Sequence, residues 1–249
     1  MGTIAMQSRS LPVGDHNATV DFWENPNSAL APIHFAQGNG FVAGVYRQML
    51  EVLAQEHTVY ATHHRAAWET VASQTPPNFF KWSHAADDII ASLDALNAER
   101  VQQNLPKLRF LGVGHSLGGF MTLIAAYRRP DLFEKIVLIE PIMFPNRALV
   151  TLNMIPMSWR YRVLSMAKRT LKRRDIWNSQ QEFIDYHAPK SAFHGIPLSV
   201  MQDYAQHGLK ARPAGDGLEL RFPKAWEAHI FRSISGAWRA LRELKVPCV

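Results

Sequence analysis

Over its first 141 residues the chain alternates short apolar runs with longer stretches of helical period. Ala18–Trp23 reads as an early strand, and Pro32–Ala36 as a short buried strand that runs into the turn-rich Gln37-Gly38-Asn39-Gly40. Tyr46, Met49, Leu50 and Leu53 recur at i, i+3, i+4 and i+7, the spacing of one helix face. His57–Thr62 predicts a strand, and Trp82, Ala85, Ala86, Ile89, Ile90, Leu93 and Leu96 predict a second helix. Lys107–Val113 predicts a buried strand, Leu117–Arg129 a helix that stops at Pro130, and Lys135–Ile139 a further strand ended by Glu140-Pro141. Residues 1–17 mix polar and apolar positions without a period and predict little order.

Strands that alternate with helices predict an α/β protein with a mostly parallel central sheet covered by helices on both faces. From Ile142 the rhythm breaks, and no clear buried strand returns until Lys245–Val249. The intervening stretch, rich in Trp, Met, Arg and Pro, predicts a helical cap inserted over the sheet. The expected division is a core over 18–141, a cap-like insertion over 142–240 and the start of a further core strand over 241–249.

Composition narrows the class without naming a chemistry. The chain has 249 residues, 47% hydrophobic and 19% charged, enough for one large domain with a core. A single cysteine, Cys248, excludes an intrachain disulfide. The N-terminus has neither the basic nor the apolar region of a secretory signal, and no apolar stretch is long enough to span a membrane. These features together predict a cytoplasmic protein. The net charge of +6 gathers between Arg160 and Arg174, where seven Lys and Arg residues interleave with apolar ones. That pattern predicts a basic amphipathic helix. A cap helix with a solvated basic face accounts for it; the face also suits peripheral contact with a membrane surface or an anionic substrate. One basic stripe without a reader motif does not predict nucleic-acid binding. No clustered Cys, His or carboxylate set predicts a metal site, and no phosphate-cradling Gly loop predicts a nucleotide cofactor.

The candidate chemistry lies in Gly114-His115-Ser116-Leu117-Gly118-Gly119. This G-x-S-x-G pattern sits between the predicted strand and the predicted helix, where a sharp turn lifts a serine hydroxyl clear of the backbone. Glycines two positions to either side remove side chains that would clash in so tight a turn. A βα turn whose serine merely caps the helix would share the glycines, but the strand and helix that flank the pattern favour a presented nucleophile.

Together with Phe35–Phe41 and Lys135–Pro141, this stretch resembles the α/β-hydrolase superfamily in three pieces and in the right order. The resemblance implies an eight-stranded, mostly parallel sheet and a Ser–acid–His triad with Ser116 as nucleophile. It implies an oxyanion hole built from the Leu117 N–H and an N–H of the loop after Ala36, with Asn39 the donor and Gly38 its neighbour. Glu140, at the end of the strand after the elbow, is the best acid candidate. His187, His194, His207 and His229 lie in the cap-like stretch, where the superfamily does not place its base. His63 and His64 are expected to line the pocket mouth. Val249 falls in what reads as the middle of a strand, so the triad histidine, and an Asp or Glu before it as the alternative to Glu140, is expected beyond it on a further stretch of about 40–50 residues.

The function expected is a serine hydrolase of esterase or lipase type, acting on a small-molecule carboxylic ester or related acyl substrate through an acyl-enzyme on Ser116, without a cofactor. A thioesterase, a C–C hydrolase, a haloperoxidase and a non-catalytic binding protein of the same fold remain alternatives. The sequence leaves the oligomeric state open.

Overall fold

The computed structural model describes residues 4–249 apart from 73 and 214. The chain opens with a hairpin, β1 (Gln7–Val13) and β2 (His16–Trp23), joined by a two-residue turn at Gly14, whose φ is +57°. This corrects the expectation of little order over 1–17 for residues 7–17; residues 1–3 lie outside the described residues. Leu11 and Val13 are two apart and both buried, so a short alternating strand is present. Its apolar pattern is only two residues long and is carried by pairing with β2.

Next come β3 (Ile33–Ala36), all four residues buried, then α1 (Arg47–Ala54) and β4 (Val59–Thr62). The single turn α2 (Glu69–Ala72) and the long α3 (Trp82–Gln102) lead to β5 (Phe110–His115), α4 (Leu117–Arg128) and β6 (Phe133–Ile139). The sheet order is β1-β2-β4-β3-β5-β6. β1, β2 and β4 pair antiparallel, whereas β4, β3, β5 and β6 run parallel. Among the described residues this sheet has six strands rather than the eight implied by the resemblance. Beyond β6 the chain turns into helices, and it returns only as a short run whose Cys248 bridges Ile136 in parallel.

The parallel register fixes where function can sit. Ala36 pairs with Gly114, and His115 with Ile139. The C-terminal ends of β3, β5 and β6 therefore share one rim, which carries Gln37, Ser116 and Glu140. Helix α4 is buried from Leu117 to Ala126, apolar on every side, as befits a helix between a sheet and a second helix layer. Trp82 of α3 packs edge-on to Phe120 of α4 with ring centroids 5.1 Å apart.

After β6 the chain forms α5 (Asn146–Asn153), α6 (Met157–Val163), α7 (Ser165–Lys172), β7 (Ile176–Trp177), α8 (Gln180–His187) and α9 (Leu198–Gly208). Then come β8 (Leu209–Ala211), β9 (Leu218–Leu220), α10 (Lys224–Arg232) and α11 (Trp238–Arg242). Two expectations change here. The single basic helix over 160–174 is two helices, because Leu164 adopts an extended backbone between them (φ −90°, ψ +100°). The stretch also holds a three-stranded sheet, β7-β9-β8, which contributes the fully buried Trp177 to a cluster with Phe183 and Tyr204. Its strands are two or three residues long, too short to show a period.

Among the buried histidines, His34 and His64 are held without charge near neutral pH. His34 lies inside β3 with its Nε2 3.2 Å from the Thr62 hydroxyl. Burial pushes its pKa down to about 4. His64 packs among Phe80, Phe222 and Trp226, and burial, with help from Arg65 and His229, pushes it down to about 3. The unfolded chain protonates both near pH 6.5, while the folded chain resists until well below pH 5. Stability is therefore expected to fall as pH drops from 6.5 toward 4, by about 1 kcal/mol per pH unit for each histidine. Urea unfolding at pH 7 and pH 5 measures this, and His34→Gln should flatten the dependence; a flat profile in the parent protein would contradict the buried neutral state.

The α4–β3 contact gives a second expectation. A Cβ on Gly118 would lie 2.0 Å from the Ala36 carbonyl oxygen and 2.8 Å from that of Gln37. In an exposed helix Gly→Ala stabilises by up to about 1 kcal/mol. Here Gly118→Ala should destabilise by about 1–3 kcal/mol, seen as a lower melting temperature. A variant that melts at or above the parent would mean that the helix does not approach this closely.

Candidate active site

Ser116 stands between β5 and α4 with φ +56° and ψ −116°, a conformation rare outside glycine. Holding it there costs about 1–3 kcal/mol, which surrounding bonds offset. The Ser116 N–H donates to the Ile139 carbonyl of β6 at 2.9 Å, and its own carbonyl accepts from the Phe120 N–H at 3.2 Å. The serine is thus fastened to the neighbouring strand on one side and to its helix on the other. The expected clash-free turn is visible in detail: a Cβ on Gly114 would lie 2.4 Å from the Gly118 carbonyl oxygen.

Leu117, fully buried, is the first residue of α4, where backbone N–H groups have no partner within the helix. Across the rim the Gly38 N–H donates to the Tyr46 hydroxyl at 3.2 Å, and that hydroxyl lies 2.9 Å from His115 Nδ1. Gly38 is therefore engaged. The Asn39 N–H makes no hydrogen bond among the described residues, and its side-chain Nδ2 donates to the Glu227 carbonyl at 3.2 Å. Gln37, between strand and loop, is buried with both amide atoms unpartnered. Polar atoms so placed require a water or a ligand group.

Sequence reasoning missed two groups that hold this loop. Tyr46 ties Gly38 to His115. Glu227 of α10 packs its carboxylate where a Cβ of Gly40 would stand, 2.8 Å away, and pairs with Arg173 at 2.5 and 3.1 Å. Burial raises the Glu227 pKa while Arg173 opposes it. Apart from Gly38–Tyr46, eight positions apart, these contacts join residues more than fifty positions apart, and no local pattern signals them.

The remaining candidates fall as follows. Glu140 is exposed just past β6 with φ +47°, close enough to act electrostatically on His115. Burial lowers the His115 pKa and Glu140 opposes it. His63 and His64 do not line a mouth: both are buried, and His63 Nε2 lies 2.6 Å from the Asp21 carboxylate. The end of β4 carries them into the core against β2 and α10. His187 and His229 are buried against the carbonyls of Phe183 and Phe80, His207 packs on Gly44, and His194 is exposed. Among the described residues no side chain hydrogen-bonds to the Ser116 hydroxyl.

An apolar cavity of about 370 Å³ lies between α3, the segment after β6 and α10. Trp82, Ile142, Phe144, Leu164, Phe231 and Ile234 form most of its wall. Ile142 joins it to the site, since its N–H reaches the Ser116 carbonyl at 3.4 Å. No helix among the described residues is long and apolar enough to cross a membrane.

Comparison with known proteins bears on the fold. Over 127 residues the chain is 24% identical to monoglyceride lipase of Rattus norvegicus, a match that covers 50% of this chain and 39% of that enzyme. The crystal structure of E-2-(acetamidomethylene)succinate hydrolase superposes with a TM-score of 0.71 at 21% identity, covering 98% of this chain and 79% of that one. A thioesterase domain from the curacin biosynthetic pathway superposes with a TM-score of 0.62 at 19% identity, covering 98% and 81%. The alpha/beta hydrolase fold family matches residues 32–240, from the strand before the loop to the helix after the cavity wall, and with its parallel sheet and its strand–serine–helix turn this chain belongs to that family.

Proposed function

We propose that this chain is a serine hydrolase acting on carboxylic esters with an apolar acyl or alcohol group. The observation that carries the reading is the strained Ser116 at the sheet rim, beside two free N–H groups and an apolar cavity. Ser116 Oγ attacks the acyl carbon and its proton passes to a base. The carbonyl oxygen, now an oxyanion, accepts from the Leu117 and Asn39 N–H groups. Gly38 shapes the loop through its bond to Tyr46 and leaves Asn39 as the donor. Expulsion of the alcohol gives the acyl-enzyme, and water releases the acid.

Glu140 is the carboxylate placed to orient a histidine base. Residues 142–240 act as the cap, with α6, α7 and α10 closing the cavity over the acyl group. The described residues thus supply nucleophile, oxyanion donors and acyl cavity, and the base is the one group that none of their histidines provides at Ser116. Similarity to monoglyceride lipase favours an ester of a long apolar chain.

A fluorophosphonate probe tests the nucleophile. In the full-length protein, with the stretch expected to carry the base, labelling should fall on Ser116 and vanish in Ser116→Ala; no Ser116-dependent labelling there would sink the hydrolase reading and favour a binding role for the same fold. The cavity makes a separate claim. Ile234→Trp should cut kcat/KM for p-nitrophenyl esters of long acyl chains by about tenfold or more while sparing the acetate. A loss equal at every chain length would show that the acyl group lies elsewhere.

A further inference from the structure

The stretch from α5 to the end of the basic segment, 146–174, holds eight Lys and Arg residues and no Asp or Glu. Three of the eight are used internally. Arg160 is buried and donates to the carbonyls of Ile155 and Arg232 and to Asn153 Oδ1. Arg173 pairs with Glu227, and Arg174 with Glu182. The other five, Arg147, Arg162, Lys168, Arg169 and Lys172, are exposed, and none has an acidic partner among the described residues.

Large apolar side chains lie exposed between these cations. Met154 is 81% exposed, Val150 64%, Trp159 and Val163 59% each, and Met166 55%. Trp159 and Val163 are four apart on α6, and so are Val150 and Met154 at the end of α5, so each pair shares a helix face. The Arg162 guanidinium sits 5.7 Å from the Trp159 ring. Arg160 fastens α5, α6 and α10 to one another, so the face is a fixed platform rather than a loose strand.

This combination has one fitting counterpart. A polyanion such as nucleic acid would use the cations but leave Val150, Met154 and Met166 in water. An anionic lipid surface uses both, since apolar side chains enter the acyl boundary while Lys and Arg remain at the headgroups. The position of the face adds a reason. Val163 and Met166 are exposed and also line the apolar cavity, so the face and the cavity share residues.

We propose that the α5–α7 face docks on an anionic lipid surface, with the cavity mouth turned toward the lipid. That the mouth then receives an ester from the lipid rests on the hydrolase reading above; the docking itself does not. Co-sedimentation of the full chain tests it with two kinds of vesicle, phosphatidylcholine alone and phosphatidylcholine with about a third phosphatidylserine. The parent should bind the anionic vesicles markedly better than the neutral ones and should be partly released by high salt. The apolar variant Met154→Ser/Trp159→Ser and the charge variant Lys168→Gln/Arg169→Gln/Lys172→Gln should each lower the bound fraction about fivefold or more. Their melting temperatures and fluorophosphonate labelling should match the parent, and the milder single variant Trp159→Gln repeats the test if the double one does not fold.

Equal binding to both vesicles, or an apolar variant that binds like the parent, would overturn the proposal. So would retention on duplex DNA that the charge variant loses and the apolar variant keeps together with its vesicle binding. Vesicle binding that needs both groups of residues in a protein that takes up no probe would uphold docking while removing the hydrolase.

Discussion

The site depends on one close approach of backbones. The first turn of α4 lies so near the ends of β3 and β5 that no side chain fits at Gly114 or Gly118. That approach leaves Ser116 a single way through the turn, with positive φ, its N–H tied to β6 and its carbonyl closing the first turn of the helix. The serine's conformation is thus a consequence of packing among three strands and a helix. Strain of this kind persists only where the surroundings over-determine it, and here they do: α4 is buried along most of its length and cannot shift without reopening the core.

The opposite wall of the site is set by polar contacts at long range. The loop after β3 would be free to move on its own sequence, since it is short and glycine-rich. Tyr46 holds one end through Gly38, and α10 holds the other through Asn39 and the Glu227 carboxylate at Gly40. Glu227 is buried, so its charge is tolerable only with Arg173 beside it, and losing one partner would strand the other. The ion pair therefore couples the segment after β6 to the loop that faces the serine. Asn39 is left with a free N–H because its side chain, rather than its backbone, makes the bond to α10.

The sequence made the rim legible and left most of what supports it unread. The elbow, the strands β3, β5 and β6 and the helix α4 follow from apolar runs and glycines that lie close together in the chain. The β1–β2 hairpin escaped notice because its inward-facing pattern is only Leu11 and Val13. The β7-β9-β8 sheet escaped because strands of two or three residues have no measurable period. The basic stripe was read as one helix since its charges repeat smoothly across Leu164, whereas the break there comes from tertiary packing: Leu164 turns into the cavity. Tyr46 and the Arg173–Glu227 pair had no local signal at all. His63 and His64 misled for a related reason. They follow a strand end, where site residues gather, but Asp21 on the adjoining strand draws His63 into the core.

The break at Leu164 also explains how one segment presents two faces. A continuous helix over 160–174 would turn its apolar residues toward a single side. Divided at Leu164, the segment sends Leu164 and part of Val163 and Met166 into the cavity wall, while Trp159 and the unpaired cations remain outside. Arg160 makes this arrangement rigid by filling the carbonyls at the start of α6 and the end of α10. The cavity wall that includes Ile142, the serine's backbone contact, thereby has an outer surface suited to a medium other than water. Site and surface are joined through a few buried hydrogen bonds, and a change in the packing of α6 would be felt at both.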